Sequence, residues 1–179
     1  IIQSANDGCI ALAEGISGNE ENFARLMNDR ARELGLTQSN FTNSTGLPDP
    51  DQHVTSRDLA KLARHIVLTY PEFYKWYGEK EFTFNKIRQQ NRNPLLALSI
   101  GADGMKTGFT NEAGYGLVGS AVQNGMRLIV VVNALMVVTF QVPVAAKTRK
   151  FNSLKVLASG AVFYAAGIAN PGQPAEVAD

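Results

Sequence analysis

Cysteine and histidine are scarce in this chain of 179 residues. The single cysteine, Cys9, excludes an internal disulfide and any metal site built from several cysteines. The two histidines, His53 and His65, are too few to bind zinc without carboxylates, and no H-E-x-x-H pattern occurs. A Walker loop and a G-x-S-x-G nucleophile elbow are absent as well. We therefore expect no metal and no other cofactor.

Neither sign of charge dominates, since the formal net charge is +1. Nothing in that balance favours nucleic acid or an anionic membrane as a partner. With 45% hydrophobic and 18% charged residues, the composition is that of a globular protein and not of a disordered one. The apolar run 128–146 has the length of a membrane span, but Asn133, Thr139, Gln141 and Pro143 interrupt it. It is typical of a buried strand followed by irregular chain.

The chain begins without an initiator methionine, on the apolar stretch Ile1-Ile2-Gln3. No basic segment followed by an apolar core is present there, so the stretch is not a signal peptide. It is typical of the end of an element that began further upstream. We therefore expect the chain to be a fragment or a processed product.

Apolar periodicity and capping residues predict three helices in the first half of the chain. The first opens at Ser4-Ala5-Asn6-Asp7, where serine and asparagine are cap-type residues. The second starts at Asn19, carries one apolar face and stops at Gly35. The third follows Thr55-Ser56-Arg57-Asp58, a capping box with Asp in the usual Glu position, and ends before Pro71.

A β-hairpin is the main prediction for the second half. Two β-rich runs, Tyr115–Val122 and Met126–Asn133, are joined through Asn-Gly, the strongest short-range hairpin signal. Lys106–Thr110 is predicted as a neighbouring third strand, and Glu81–Phe84 as a short alternating strand. The aromatic residues between 73 and 77 favour core and hydrophobic-rim packing over a sugar-binding groove.

Two short stretches carry reactive side chains, and each has an ordinary alternative. Lys106-Thr107-Gly108 sets a cation and a hydroxyl beside a glycine, which suits an anion-binding strand edge but also occurs in surface turns. Ser4 has a hydroxyl that could act in a site, but its local pattern is that of a helix N-cap. Neither stretch by itself shows whether these side chains form a functional site.

Together, the two stretches resemble motifs of the low-molecular-mass penicillin-binding proteins, the serine-type D-alanyl-D-alanine carboxypeptidases of peptidase family S11. That superfamily carries S-x-x-K, S-x-N and K-T-G motifs. Ser4-Ala5-Asn6 resembles the second and Lys106-Thr107-Gly108 the third, and their separation (106 − 4 = 102 positions) is similar to the family's. Four further stretches follow in family order, namely Gly46-Leu47-Pro48-Asp49, the segment 55–60, Asn91-Arg92-Asn93 and the segment 103–115.

The resemblance covers residues 1–135 and shows two departures. No serine of the chain has a lysine three positions on, so the S-x-x-K motif, which supplies the acylated serine in the family, is absent. The segment 136–179 is rich in valine and alanine, where the family usually continues into a polar helix. We expect 1–135 to be a partial transpeptidase-like catalytic domain and 136–179 to be a divergent C-terminal segment.

The fold that the resemblance implies is the α/β (α+β) β-lactamase/transpeptidase-like fold, with its N-terminal part missing. An antiparallel sheet, formed partly by residues 106–133, would accompany a helical lobe over residues 5–70. The site would lie between sheet and lobe, where pockets commonly occur.

The resemblance also implies residue roles. Catalytic roles would fall on Ser4, which passes a proton toward the leaving amine, Asn6, which holds the substrate amide, and Lys106, whose charge acts over the site. Substrate binding would involve Lys106 again, Thr107 at the terminal carboxylate, Gly108 in backbone pairing and the backbone N–H of Phe109 in the oxyanion hole. No metal or cofactor is implied.

The implied function is removal of the terminal D-alanine from peptidoglycan stem peptides, a step of cell-wall remodelling. β-Lactams are the implied inhibitors of the full-length parent, which would act in the periplasm or elsewhere outside the cytoplasmic membrane, anchored by a segment absent here. Nucleic acid is not an expected partner. Since the nucleophile motif is absent, two alternatives stay open: a non-catalytic peptidoglycan- or β-lactam-binding module, and an inactive product of a truncated gene.

Overall fold

Helices precede strands in residues 1–133, the part of the chain that this computed structural model describes. The helices are α1 (Asn6–Ser17), α2 (Glu20–Glu33), α3 (Ser56–Thr69) and α4 (Pro71–Tyr74), with 3₁₀ turns at Lys75–Gly78 and Pro94–Ala97. The strands are β1 (Glu81–Phe84), β2 (Ile87–Gln90), β3 (Ala102–Thr110), β4 (Gly114–Gln123) and β5 (Met126–Asn133). The predicted divergent segment 136–179 lies outside the described residues.

The first helix begins later than the local pattern indicates. It starts at Asn6, its N-cap is Ala5, and no side chain caps it. Ser4 therefore lies outside the helix, and the interpretation of Ser4 as an N-cap is wrong. The physical reason is that the Ser4 backbone has φ 57°, a left-handed conformation that an N-cap residue does not adopt. Its hydroxyl is used elsewhere, as described below.

The second and third helices form where the sequence predicts them. Asn19 caps α2 by accepting a hydrogen bond from the backbone N–H of Asn22 at 2.8 Å, and Gly35 follows the helix with φ 70°. Thr55 caps α3 in the same way through the N–H of Asp58 at 3.2 Å. Both starts are confirmed.

The predicted capping box of α3 is half wrong, because Asp58 does not reach back to the cap. The Asp58 carboxylate, only 1% exposed, accepts from the backbone N–H of Gln38 at 2.9 Å and from the Ser39 hydroxyl at 2.8 Å. The N–H of Thr55 donates to the Ser39 hydroxyl at 3.3 Å instead. The Asp58 side chain thus bonds the 38–39 segment instead of completing the capping box.

The hairpin and the third strand are confirmed. β3, β4 and β5 form an antiparallel sheet in that order, and the β4–β5 turn uses Asn124 with φ 50° and Gly125 with φ 76°. β3 has a partner strand on only one side within the described residues. Three glycines of β4 spell G-x-G-x-x-G, but they lie inside a strand, so the pattern is not a nucleotide-binding turn.

A second, smaller sheet is only half predicted. β1 was expected, but its antiparallel partner β2 was not. The two strands are joined by Asn85 and Lys86, both with positive φ, as a two-residue hairpin turn requires. Without a glycine the pair carries a weak turn signal, and β2 has few β-branched or aromatic residues.

Helix α3 packs against β4 and β5 and closes the core of the described part. The core cluster consists of Ala63, Tyr74 and Met105, with Val118 and Ile129 among the side chains packed against it. Within residues 1–133 no helix is both long and apolar enough to cross a bilayer. The longest helices, α2 and α3, have 14 residues each, and a span needs about 20.

Replacing Asp58 by asparagine should destabilise the protein by about 2 kcal/mol, because an amide oxygen accepts the two bonds from Gln38 and Ser39 less strongly than a carboxylate does. The buried N–H₂ would also face the Lys61 ammonium, which lies 3.8 Å from the second carboxylate oxygen. Urea unfolding monitored by circular dichroism measures the change in the free energy of unfolding. Asp29→Asn is the matched control, since Asp29 is exposed and its replacement should cost less than about 0.5 kcal/mol. Equal losses in both variants would contradict the role given to Asp58.

Candidate active site

The ammonium group of Lys106 contacts the hydroxyl of Ser4, with 2.5 Å between Nζ and Oγ. These two residues are 102 positions apart, and they come from the two motifs that the sequence singles out. β3 carries the lysine, and the residues just before α1 carry the serine. The contact therefore joins the sheet to the helical part at the predicted place.

Ser4 adopts a conformation that few non-glycine residues adopt. Its φ of 57° lies in the left-handed region, which costs an L-residue roughly 1–2 kcal/mol. A turn supports it, since the Ser4 backbone N–H donates to the carbonyl of Ile1 at 3.2 Å. Residues held in such conformations occur often at functional sites, where the surrounding structure maintains them.

The surroundings of Lys106 disfavour its charge. Partial burial of the ammonium group lowers the pKa of Lys106 below its ordinary value of 10.5, and the positive charge of Arg92 lowers it further. Cys9 acts weakly in the opposite direction. Among residues 1–133, two hydrogen bonds hold the group, to the Ser4 hydroxyl and to the carbonyl oxygen of Thr107 at 2.7 Å. A half-buried cation with few partners is well suited to receive an anionic ligand.

The strand around Lys106 is open on one side. Gly108 is exposed, and a Cβ added there would meet no atom within 4 Å. Packing within the described residues thus does not require a glycine at this position, whereas the close approach of another backbone would. Phe109 is also exposed, and its ring contacts that of Tyr115 with 4.5 Å between centroids. The edge of β3 that has no partner strand in the described part of the chain can therefore accept an added strand.

Two predicted site residues have unused polar groups. Within residues 1–133, no hydrogen bond engages the side chain of Asn6 or the hydroxyl of Thr107. Asn6 is the first residue of α1 and is exposed, so the structure does not join it to Lys106 by a direct contact. The role of Asn6, like those of the other site residues, stays a prediction.

Arg92 is the residue near the site to which sequence reasoning assigned no role. It follows β2 and lies 14 positions before Lys106 in the sequence (106 − 92). Its positive charge lowers the pKa of Lys106. The only sequence signal was its position in the Asn91-Arg92-Asn93 stretch. Arg92 adds a second positive charge to the side of the site that carries Lys106.

Two cavities of the described part do not contain the Lys106–Ser4 contact. One of about 620 Å³ lies between Tyr74, Gly78 and Asp103, and one of about 460 Å³ lies between residues 46–52 and 110–113. Among the described residues, no group of three or more His, Cys, Asp or Glu is arranged to hold a metal ion. The candidate site is thus an open strand edge beside a half-buried lysine.

Comparison with known proteins gives one consistent result. A sequence model of the family described as D-alanyl-D-alanine carboxypeptidase, peptidase S11, matches residues 1–135. The chain is 54% identical over 134 residues to D-alanyl-D-alanine carboxypeptidase DacA of Haemophilus influenzae, covering 74% of this chain and 34% of that protein.

Solved structures agree. The crystal structure of penicillin-binding protein 5 from Haemophilus influenzae matches with a TM-score of 0.70 and 53% identity, covering 73% of this chain and 38% of that one. Penicillin-binding protein D2 from Listeria monocytogenes, solved in the ampicillin-bound form, matches with a TM-score of 0.67 and 33% identity, covering 74% and 55% of the two chains.

Replacing Lys106 by methionine should remove one contribution to the free energy of unfolding that increases with pH. In the wild type, the unfolded chain holds its lysine proton up to about pH 10.5, whereas the folded state releases it at lower pH. The folded state is therefore favoured increasingly as pH rises through that window. The free energy of unfolding of the wild type minus that of Lys106→Met, measured by urea unfolding, should increase with pH. A pH-independent difference would contradict the lowered pKa.

The chain spans about a third of the length of the curated relatives that it matches. The match nevertheless covers most of this chain, includes both motifs and extends to the fold, which is the penicillin-binding protein/transpeptidase fold with its α+β arrangement. The resemblance inferred from the two motifs is confirmed. The chain belongs to the D-alanyl-D-alanine carboxypeptidase family, peptidase family S11.

Proposed function

We propose that the protein takes part in serine-type D-Ala-D-Ala carboxypeptidase chemistry, which removes the terminal D-alanine from peptidoglycan stem peptides. This chain would supply the proton-relay residue and the carboxylate-binding strand. The observation that supports the proposal most directly is the Lys106–Ser4 contact, because it unites the second and third motifs of the family in one site.

The carboxylate end of the peptide would bind at Lys106 and Thr107. Lys106 offers a positive charge that burial has already partly desolvated, so an anion beside it recovers interaction that water would otherwise provide. The Thr107 hydroxyl, which has no partner among residues 1–133, would donate to the same carboxylate. A charge-assisted hydrogen bond of this kind is stronger than a neutral one.

The peptide backbone would then pair with the free edge of β3. Strand addition satisfies the unpaired backbone groups of an edge strand, and Gly108 leaves room for the approach. The N–H of Phe109 would donate to the oxygen of the reacting carbonyl, a role worth a few kcal/mol in the transition state. Ser4, in contact with Lys106, would pass a proton toward the departing amine.

The acylated serine is the part of this chemistry that the chain's own sequence does not supply. A serine hydroxyl needs an adjacent base to become a good nucleophile. No serine of the chain has a lysine three positions on. The proposal therefore assigns the nucleophile to the S-x-x-K region of a longer protein and the remaining groups to this chain.

β-Lactams are proposed as inhibitors of that longer protein, and a location outside the cytoplasmic membrane as its place of action. Two observations support these points. The Listeria monocytogenes relative was solved with ampicillin bound. The relatives are penicillin-binding proteins and D-alanyl-D-alanine carboxypeptidases of bacteria, whose substrate is proposed here to be the peptidoglycan stem peptide.

The purified chain should not form a covalent adduct with a fluorescent penicillin, because it has no S-x-x-K serine to acylate. A denaturing gel after incubation shows whether a labelled band is present. A full-length relative with all three motifs serves as the positive control. A stable labelled band at the mass of this chain would contradict the assignment of the nucleophile to another segment.

The chain should bind a diacetylated tripeptide ending in D-Ala-D-Ala, and Lys106→Met and Thr107→Val should each weaken that binding roughly tenfold or more, as loss of one charge-assisted contact would. Isothermal titration calorimetry or NMR titration measures the affinity. Lys80→Met is the matched control, since Lys80 is exposed and distant in sequence from the motif. Equal affinity in all four proteins would contradict the proposed carboxylate site.

A further inference from the structure

The strand that carries Lys106 contains one extra residue. Ala102 pairs with Ala121, but Gly104 pairs with Ser120, so Asp103 has no partner of its own on β4. This is a β-bulge, in which two residues of one strand oppose one residue of the other. It lies three positions before Lys106.

The bulge determines which residue occupies the position of Lys106. In the observed register Lys106 lies opposite Val118, and residues directly opposite each other share a face of the sheet. Even pairing continued from Ala102 and Ala121 would bring Met105 opposite Val118 instead. Because side chains alternate, such a slip of one residue would turn Lys106 to the other face, away from Ser4.

A polar cluster holds the Asp103 side chain. One carboxylate oxygen accepts from the Tyr74 hydroxyl at 2.8 Å, from the Ser120 hydroxyl at 3.0 Å and from Arg127 Nη1 at 3.0 Å. The other oxygen lies 2.9 Å from the same Arg127 nitrogen. Asp103 thereby connects its own strand to β4, to β5 and to α4. The three donors converge on the one residue that the sheet leaves unpaired.

The partners of Asp103 are fixed in their turn. Tyr74 is 7% exposed and Ser120 is 2% exposed. Burial raises the pKa of Tyr74 to about 12, so its hydroxyl remains a donor throughout the physiological range. The guanidinium of Arg127 lies over the Tyr74 ring, 5.3 Å from its centroid, and donates to the Ser120 hydroxyl at 2.7 Å.

Gly104 completes the arrangement. A Cβ at Gly104 would come within 2.6 Å of the Tyr74 hydroxyl oxygen, a distance at which atoms must move. An even register would bring Asp103 opposite Ser120, where Gly104 now lies, and so set a side chain against that hydroxyl. The observed register therefore satisfies both the polar cluster and the steric limit at Tyr74.

We propose that Asp103 is a positioning residue: by anchoring the bulge to Tyr74, Ser120 and Arg127, it keeps β3 in the register that directs Lys106 toward Ser4. The inference rests on the proposed function in one respect, namely that Lys106 takes part in substrate binding. Asp103 itself does not contact Ser4 or Lys106 through any hydrogen bond in the described residues. It acts through the strand.

The test is Asp103→Ala, with the pKa of Lys106 measured by NMR of its Cε and Hε resonances. If β3 slips or loosens, Lys106 leaves its half-buried position and its pKa returns toward the ordinary lysine value. We expect that return, together with loss of nuclear Overhauser contacts between Ser4 and Lys106. Unchanged values for both quantities would overturn the proposal.

Asp58→Asn is the control for general destabilisation, because Asp58 is buried but lies on α3 and bonds the 38–39 segment. It should lower the melting temperature and leave the pKa of Lys106 as in the wild type. An equal rise in the pKa of Lys106 in Asp103→Ala and Asp58→Asn would overturn the proposal, since the effect would then reflect lost stability alone.

Asp103→Asn covers the case in which the alanine variant does not fold. It keeps an oxygen for Tyr74 and Ser120 but loses the ionic partner of Arg127, so a smaller change in the same direction is expected. No change in this folded variant would overturn the proposal. The peptide titration tests the proposed function independently, because a wild type that binds no D-Ala-D-Ala peptide contradicts that function. The Lys106 measurements decide the role of Asp103 in either case.

Discussion

The contact between Lys106 and Ser4 is the interaction on which the candidate site depends. It brings together two elements 102 positions apart and holds a cation in a partly buried place, where its pKa is lowered. Such a group is costly for a folded protein unless a ligand uses it. The left-handed Ser4 backbone adds a further cost at the same point. Both costs lie where the proposed function needs a hydroxyl and a positive charge to meet.

The rest of the described fold provides the geometry for that contact. The Asn-Gly turn aligns β5 with β4, and β4 in turn aligns β3, which leaves one edge of β3 without a partner strand in residues 1–133. Helix α3 covers the sheet and carries Asp58, whose buried carboxylate secures the 38–39 segment. The proposed function thus uses the edge strand, whereas stability comes from the covered face and the buried hydrogen bonds.

Sequence reasoning succeeded where local rules coincide with the fold. The caps at Asn19 and Thr55 and the Asn124-Gly125 turn act within a few residues, so the sequence predicts them directly. It failed where a distant partner competes for the same group. The Asp58 carboxylate bonds Gln38 and Ser39 rather than its own helix cap, and strand β2 follows a turn whose sequence signal is weak. The prediction that Ser4 caps α1 was wrong because the Ser4 backbone is left-handed, with φ 57°, and its hydroxyl contacts Lys106 instead.

The sequence by itself determined the family and singled out the candidate site residues, because the two motifs, their spacing and their order can be read from the sequence alone. Only the tertiary structure decided which way Lys106 faces. That depends on a β-bulge at Asp103, and the bulge depends on Tyr74, Ser120 and Arg127, which come from three separate elements. The register of a strand is a property of pairing across the sheet, so no local pattern around Lys106 contains it.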